Sequence, residues 1–241
     1  NILWVLKIKY VDGVLDKFKA RAVFDGRAQK VNNPSLETFS PACRSTTFKL
    51  VVAEACRKGH RLRTWDVEAA YLKGKFPEGS EILYARPPPG YRKYVSGIGL
   101  IWRLKTPLYG EADAGRIWYQ TFMTFLVNER GFTQSRYDPC LLWKTFPSGS
   151  RMVLVIYVDD GISSDDGSPE ADAELHAINA KFKIVIKHAS FFLGNNIDCH
   201  SSSRVTLSSR AYVRQMTERY LVSPEDHRET PTPCDKRIVQ H

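Results

Sequence analysis

Apolar residues recur along this chain with two different periods, and the switches between them mark its elements. Ile2–Tyr10 alternates loosely with polar positions, Asp12-Gly13 is a turn signal, and Phe18–Phe24 resumes the alternation. That predicts a hairpin with Lys17, Lys19 and Arg21 on its second arm. Beyond Asn32-Asn33-Pro34, Phe48, Val51, Val52 and Ala55 fall at helical spacing, between Ser45 as N-cap and Gly59 as stop. Leu62–Val67 has strand character, runs into Ala69-Ala70-Tyr71-Leu72 and ends at Gly74. The prolines of Arg86-Pro87-Pro88-Pro89-Gly90-Tyr91 dictate an irregular connection.

Farther on, Trp118, Phe122, Phe125 and Leu126 line one face of a helix that closes at Gly131. Met152–Val158 is almost wholly apolar and of strand length, the mark of a buried central strand. Ser168-Pro169-Glu170 starts a helix with Leu175, Ile178 and Phe182 on one face. Phe182–Ile186 and Phe191–Ile197 read as strands, and an amphipathic helix from about Ser209 carries Tyr212, Met216 and Tyr220. Thr230–Pro233 reads as loop or linker. The expected class is α+β, with mostly antiparallel strands and helices packed on one face.

Composition leaves that picture in place. With 241 residues, 43% hydrophobic and 25% charged, the chain can bury a core as one large domain or two modest ones. A net charge of +9 and a pI near 9.3 favour polyanionic partners. The five cysteines form no C-x-x-C pair, which argues against a zinc site and fits a reducing, intracellular compartment. No apolar run approaches the ~18 residues of a membrane span, and no signal peptide opens the chain. Because the first residue is Asn1, a piece of something longer is expected.

The chemistry concentrates at Tyr157-Val158-Asp159-Asp160. A buried strand ending in adjacent acids places like charges together, and these must face water or hold a cation. A second strand ends at Asp66, with Glu68 following. Laid side by side, the two strands would form a carboxylate cluster suited to Mg²⁺, or to two ions roughly 3.5–4 Å apart. Taken alone, the dipeptide is better explained as a chance pair in a surface hairpin. Asp165-Asp166 has the same letters but reads as a solvated loop.

These residues and their order resemble the reverse transcriptases, more closely those of copia-type retrotransposons. Glu37-Thr38-Phe39-Ser40-Pro41 is similar to the family's E-T-F-S-P, and Asp66 to Gly74 resembles D-V-x-x-A-[FY]-L-x-G. Pro87 to Tyr91, Leu104 to Gly110, Arg116 to Tyr119, Gly131 to Ser135, Asp138 to Leu141 and Phe191 to Gly194 follow in family order. The resemblance implies a right-hand polymerase fold, an antiparallel palm sheet backed by helices. Fingers would occupy 1–64 and 79–106, palm 65–78 and 107–200, and the start of a thumb 201–241. It implies DNA synthesis from deoxynucleoside triphosphates on an RNA or DNA template with a primer, using two Mg²⁺ or Mn²⁺ ions.

By the same resemblance Asp66, Asp159 and Asp160 would be catalytic metal ligands. Lys19, Arg21, Val67, Tyr71, Tyr109 and Gly110 would bind the nucleotide, with Tyr71 as a steric gate. Phe192, Leu193 and Gly194 would form the primer grip. Tyr71 also fits a packed strand aromatic, and alternating basic residues also suit an exposed edge strand. Lys183 and Lys187 compete for the role of general acid.

The chain departs from the pattern where the family reads L-Y-G-L-K-Q-A-P-R. Here Glu111, Ala112, Asp113 and Gly115 stand in place of Leu, Lys, Gln and Pro, adding two negative charges near the expected triphosphate site. Lys187-His188-Ala189-Ser190 replaces a D-L-G turn. A second expectation is therefore a catalytically inactive relic that keeps the fold and at most binds nucleic acid. A two-metal nuclease would use the same acids but leaves the ordered motifs unexplained.

Overall fold

A computed structural model describes residues 1–11 and 14–220, so the Asp12-Gly13 turn and the Thr230–Pro233 stretch lie outside the described residues. The N-terminal alternation becomes β1 (Ile2–Val11) and β2 (Val14–Phe24), paired antiparallel from Ile2↔Phe24. Directly opposed residues share a face. Val5, Lys7, Lys19 and Arg21 therefore stand on one side, and Trp4, Leu6, Ile8, Phe18, Ala20 and Ala22 on the other.

A short helix, α1 (Arg27–Asn32), precedes α2 (Ser45–Lys58), which buries Phe48, Val51, Val52 and Ala55 and stops at Gly59 with φ 69°. Ser45 is the first helical residue, not the cap. Arg44 takes the cap position, and the distant Asp138 carboxylate accepts hydrogen bonds from the Arg44 N–H and the Thr47 hydroxyl. A tertiary contact thus replaces the local cap.

The strand β3 (Arg61–Val67) leads into a one-turn helix, α3 (Ala70–Lys73), rather than running on toward Gly74. Ala69, at φ 52° and ψ 48°, breaks the strand there. Four two-residue strands follow: β4 (Tyr84–Ala85), β5 (Tyr94–Val95), β6 (Ile98–Gly99) and β7 (Trp102–Arg103), paired β4 with β7 and β5 with β6. Next, α4 (Ala114–Thr124) continues through a π-helical turn at Phe125–Glu129, and Gly131 ends it at φ 71°.

The rest of the chain supplies β8 (Thr133–Gln134), β9 (Leu141–Thr145), β10 (Arg151–Tyr157), β11 (Asp160–Asp165), α5 (Pro169–Phe182) and β12 (Ile184–His188). After these come β13 (Phe191–Phe192), β14 (Asn195–Ser201), β15 (Arg204–Ser208) and α6 (Arg210–Tyr220). Ser168 caps α5 as its sequence predicts, accepting from the Ala171 N–H with Pro169 at the first turn. Phe182 belongs to α5, which Lys183 closes at φ 54°, so β12 starts two residues later than its apolar pattern suggests. Phe191–Ile197 is a hairpin rather than one strand, because Leu193 (φ 48°) and Gly194 (φ 75°) turn the chain.

The central six-stranded sheet has the order β12-β3-β11-β10-β9-β8, with antiparallel pairing throughout. Its strand β10 explains the mixed packing. Met152, Leu154 and Ile156 join Trp118, Phe122, Ile178 and Phe182 on one face, while Val155 joins Phe48, Val52, Ile162 and Phe192 on the other. Helices thus cover both faces, not one as expected: α4 and α5 on the first, α2 on the second. A strand buried on both sides is apolar at successive positions. Among the described residues no helix is long and apolar enough to cross a membrane, and Cys43, Cys56, Cys140 and Cys199 are free.

Candidate active site

Everything at the site depends on the tight turn joining β10 to β11. Tyr157 pairs with Asp160, leaving Val158 and Asp159 to make the reversal, and Val158 adopts φ 59°. A β-branched residue is strained in that conformation. The Trp118 indole N–H holds it there by donating to the Val158 carbonyl at 2.7 Å. On the neighbouring strand Asp66 lies opposite Asp160, and the Val67 N–H donates to the Asp159 carbonyl at 2.8 Å. Asp66, Asp159 and Asp160 therefore meet at one edge of the sheet. Gly161 is required next to them, because the Trp65 ring occupies the space any side chain would need.

The three carboxyls disturb one another. Lost hydration and then the Asp159 charge raise the pKa of Asp66, partly offset by a hydrogen bond with Asp160 and by Lys187 and Lys19. Burial, Asp159 and Asp66 push Asp160 up to about 6. Both carboxyls therefore bind a proton more readily than an isolated aspartate does. Among the described residues no three acidic, His or Cys side chains are arranged to hold a metal ion together.

On one side of the acids lies a cavity of about 530 Å³, bounded by Lys9, Lys19, Arg21, Asp66, Tyr109 and Asp159, with Val67, Ala69 and Leu72 as floor. Lys19 has a lowered pKa, from lost hydration and then the neighbouring Arg21, Lys9 and Lys17 charges. Such cations stand ready for an anion. Arg21 stacks 5.3 Å from the centre of the Tyr109 ring, and Tyr109 packs 4.8 Å from Tyr71. Tyr71 lies behind Tyr109 on the one-turn helix α3, not on a strand. Gly110 (φ 89°) has a structural reason to lack a side chain, since the Phe24 carbonyl and Val23 fill the space beside it.

On the other side, a cavity of about 230 Å³ joins Asp66 and Asp160 to Lys187, Phe191, Phe192 and Leu193. Phe192 is buried and packs 5.2 Å from Phe48, so it anchors the β13–β14 turn on which Leu193 and Gly194 sit. Of the two lysines weighed from sequence, Lys187 faces the acids. Lys183 closes α5, and its carbonyl accepts from the Glu68 N–H.

Residues 1–233 match the family described as "Reverse transcriptase (RNA-dependent DNA polymerase)". The chain belongs to that family. It is 30% identical over 224 residues to the Retrovirus-related Pol polyprotein from transposon TNT 1-94 of Nicotiana tabacum, covering 90% of this chain and 16% of the relative. The polyprotein of transposon RE2 from Arabidopsis thaliana is 28% identical over 231 residues, 92% of this chain and 15% of the relative. The Ty1-ER2 Gag-Pol polyprotein of Saccharomyces cerevisiae is 29% identical over 149 residues, 60% of this chain and 8% of the relative. This reverse transcriptase domain, of the copia type, thus spans about a sixth of the tobacco relative.

Two sequence expectations for this reverse transcriptase change once the side chains are placed. Glu111 and Asp113 do not border the cavity at the acids. They line a separate one of about 400 Å³ with Gln29, Asn33, Glu81 and Arg116. Asp113 pairs with Arg116 at 3.1 Å. Glu111 is 6% exposed, accepts from the Leu108 N–H at 2.9 Å and leaves Oε1 without a partner. Burial, then Asp113, push its pKa up to about 7, with the Leu108 N–H opposing.

Asp165 is likewise not a solvated loop residue. It is fully buried at the end of β11, 2.7 Å from both Arg61 and Arg63, while Asp166 is the exposed member of the pair. Lys9 is also at the site, and Trp118 does more than pack on the face of its helix. The two-residue alternation that marked Lys19 and Arg21 could have flagged Lys9. Nothing local points to the Trp118 indole bond.

Proposed function

We propose that this domain extends the 3′-OH of a primer along an RNA or DNA template, using deoxynucleoside triphosphates. The observation that carries this reading is the meeting of Asp66 and Asp159 in a cavity walled by Lys9, Lys19 and Arg21, with Asp160 paired to Asp66 on the other side. Acids without a cationic partner suit a hard divalent ion, and Mg²⁺ takes only one or two protein carboxylates, filling its shell with water and phosphate oxygens. Asp66 and Asp159 would hold the family's divalent ions, Mg²⁺ or Mn²⁺, which when bound supply charge to activate the hydroxyl and balance the leaving pyrophosphate. Asp160 orients Asp66 through their hydrogen bond.

Lys19 and Arg21, with Lys9, receive the β- and γ-phosphates, and the Val67 backbone fixes the floor beneath them. Tyr109 lines the nucleotide pocket beside Gly110, and Tyr71 backs it as the gate against a 2′-OH. Phe192, Leu193 and Gly194 hold the primer end near Asp160. Lys187, on the primer side, screens Asp66 rather than protonating pyrophosphate.

We assign fingers to 1–44 and 79–106, palm to 45–78 and 107–200, and the start of a thumb to the described residues from 201 to 220. The palm begins at Ser45 rather than residue 65, because a boundary at 64/65 would cut β3 and strand α2 from the sheet it covers. The free thiols support a reducing, intracellular setting.

A second reading, an inactive relic that binds nucleic acid, is favoured by the unpartnered Glu111 oxygen. Primer extension on a primed RNA template separates the two. Wild-type chain is expected to extend in Mg²⁺ and to stop in EDTA, with Asp159→Asn slower by about 10²-fold or more. Equal signals from folded wild-type and Asp159→Asn protein would leave only the relic.

A further inference from the structure

Between Ile82 and Gly110 the chain carries Arg86, Arg92, Lys93, Arg103 and Lys105 and no acidic residue. Among the described residues none of the five enters an ion pair with a side-chain carboxylate, and all five are exposed. Three aromatic rings run through the same surface. Trp4 lies 5.8 Å from Tyr91, and Tyr91 lies 6.3 Å from Trp102, with the planes tilted by 55° and 73°. They remain 39%, 57% and 39% exposed. Large aromatics arranged edge to face and left open to solvent contribute less to folding than their size allows.

The row of rings is anchored. The Trp4 indole N–H donates to the Pro89 carbonyl at 3.1 Å, and the Ile2 N–H donates to the Arg86 carbonyl at 3.0 Å. Ile2, Phe24 and Ala85 pack beneath as a small core. Trp4 belongs to the face of the β1–β2 hairpin opposite Lys19 and Arg21, so this surface is separate from the cavity at the acids.

We propose that Trp4, Tyr91 and Trp102, with Arg86, Arg92 and Lys93 flanking Tyr91 along the chain, form a platform for unpaired nucleic acid, which the rings stack and the cations neutralise. Aromatics interleaved with unpaired cations are the chemistry of single-strand binding, in which bases stack and phosphates release counterions. Protein interfaces also gather Trp, Tyr and Arg, so the choice of a polyanion rests on the five cations left without an acidic residue in the segment. The identity of the strand as template ahead of the primer end rests on the polymerase reading above; the affinity for single strands does not.

The test is fluorescence anisotropy with labelled 12-residue oligo-dT and oligo-rU, and with a blunt duplex, on the full chain. Replacing Tyr91→Leu and Trp102→Leu together is expected to weaken single-strand binding about tenfold or more while leaving duplex binding nearly unchanged. Tyr91→Phe, which keeps the ring, retains binding. Arg86→Gln with Lys93→Gln lowers the slope of log affinity against log salt by about 1.4.

Single-strand affinity unchanged in the double variant overturns the proposal, as does equal loss in Tyr91→Phe and Tyr91→Leu. Self-association that the double variant abolishes, with oligonucleotide affinity intact, makes the patch a protein interface and also overturns it. Ring-dependent oligonucleotide binding by a chain that fails primer extension sustains the platform while removing the polymerase reading.

Discussion

The β3–β11 ladder carries aspartates at both ends, and the two ends are built in opposite ways. At one end Asp160 faces Asp66 across the ladder with Asp159 alongside, like charges set together. At the other, Asp165 faces Arg61, and Arg61 and Arg63 bridge both Asp165 and Asp172 at 2.6–2.9 Å. The second end is neutralised and buried. The first is left open, with its repulsion only partly offset by Lys187 and Lys19 and no ion pair formed among the described residues. Identical dipeptides on one strand therefore do different work: one ties the sheet to α5, and the other keeps charge available for a ligand.

The largest effect should come from breaking the neutralised end. Asp165→Ala leaves Arg63 partly buried and short of a partner, which is expected to cost about 3 kcal/mol in urea unfolding. Asp160→Asn, at the open end, should change stability by less than about 1 kcal/mol, toward greater stability. Similar losses at both ends would erase the contrast.

Glu111 shows what the Asp165 end would be without its arginines: a buried carboxyl with no counter-charge. Its folded pKa of about 7 lies above the ordinary value of 4.5, so the folded state holds the proton more tightly. Stability should fall as pH rises from the unfolded value through the folded one. Glu111→Gln should remove that fall and stabilise the domain by about 2 kcal/mol at pH 8, read from unfolding midpoints across pH.

The smallest effect belongs to Asp172. Burial raises its pKa, but hydrogen bonds and charges from Arg63 and Arg61 hold it below the ordinary value. Its contribution is present above the unfolded pKa and is lost as pH falls through the folded one. Asp172→Asn should lower stability at neutral pH by less than about 1 kcal/mol and flatten the acid limb of the stability curve below about pH 4.

Much of this was legible in the sequence. The central strand, α5 with its Ser168-Pro169 start, and the acids at the ends of β3 and β10 all follow from local period and capping. What escaped depended on contacts between distant segments. Asp165 looked solvated because its partners lie on another strand, roughly a hundred residues earlier. Glu111 is one residue from Gly110 in the chain, yet its side chain lines a different cavity, which sequence adjacency does not reveal. The placement of α2 opposite α4 and α5 could not be read from amphipathic faces alone, since each helix shows only that it has a buried side.

The most direct test measures single-nucleotide incorporation and the urea midpoint on the same preparations of Asp66→Asn and Asp165→Asn. Asp66→Asn should lose about 10²-fold or more in rate with an unchanged or higher midpoint, while Asp165→Asn should keep its rate where folded and lose stability. Full activity in Asp66→Asn, or loss of its activity only in step with loss of its fold, would contradict the assignment of the open end to catalysis.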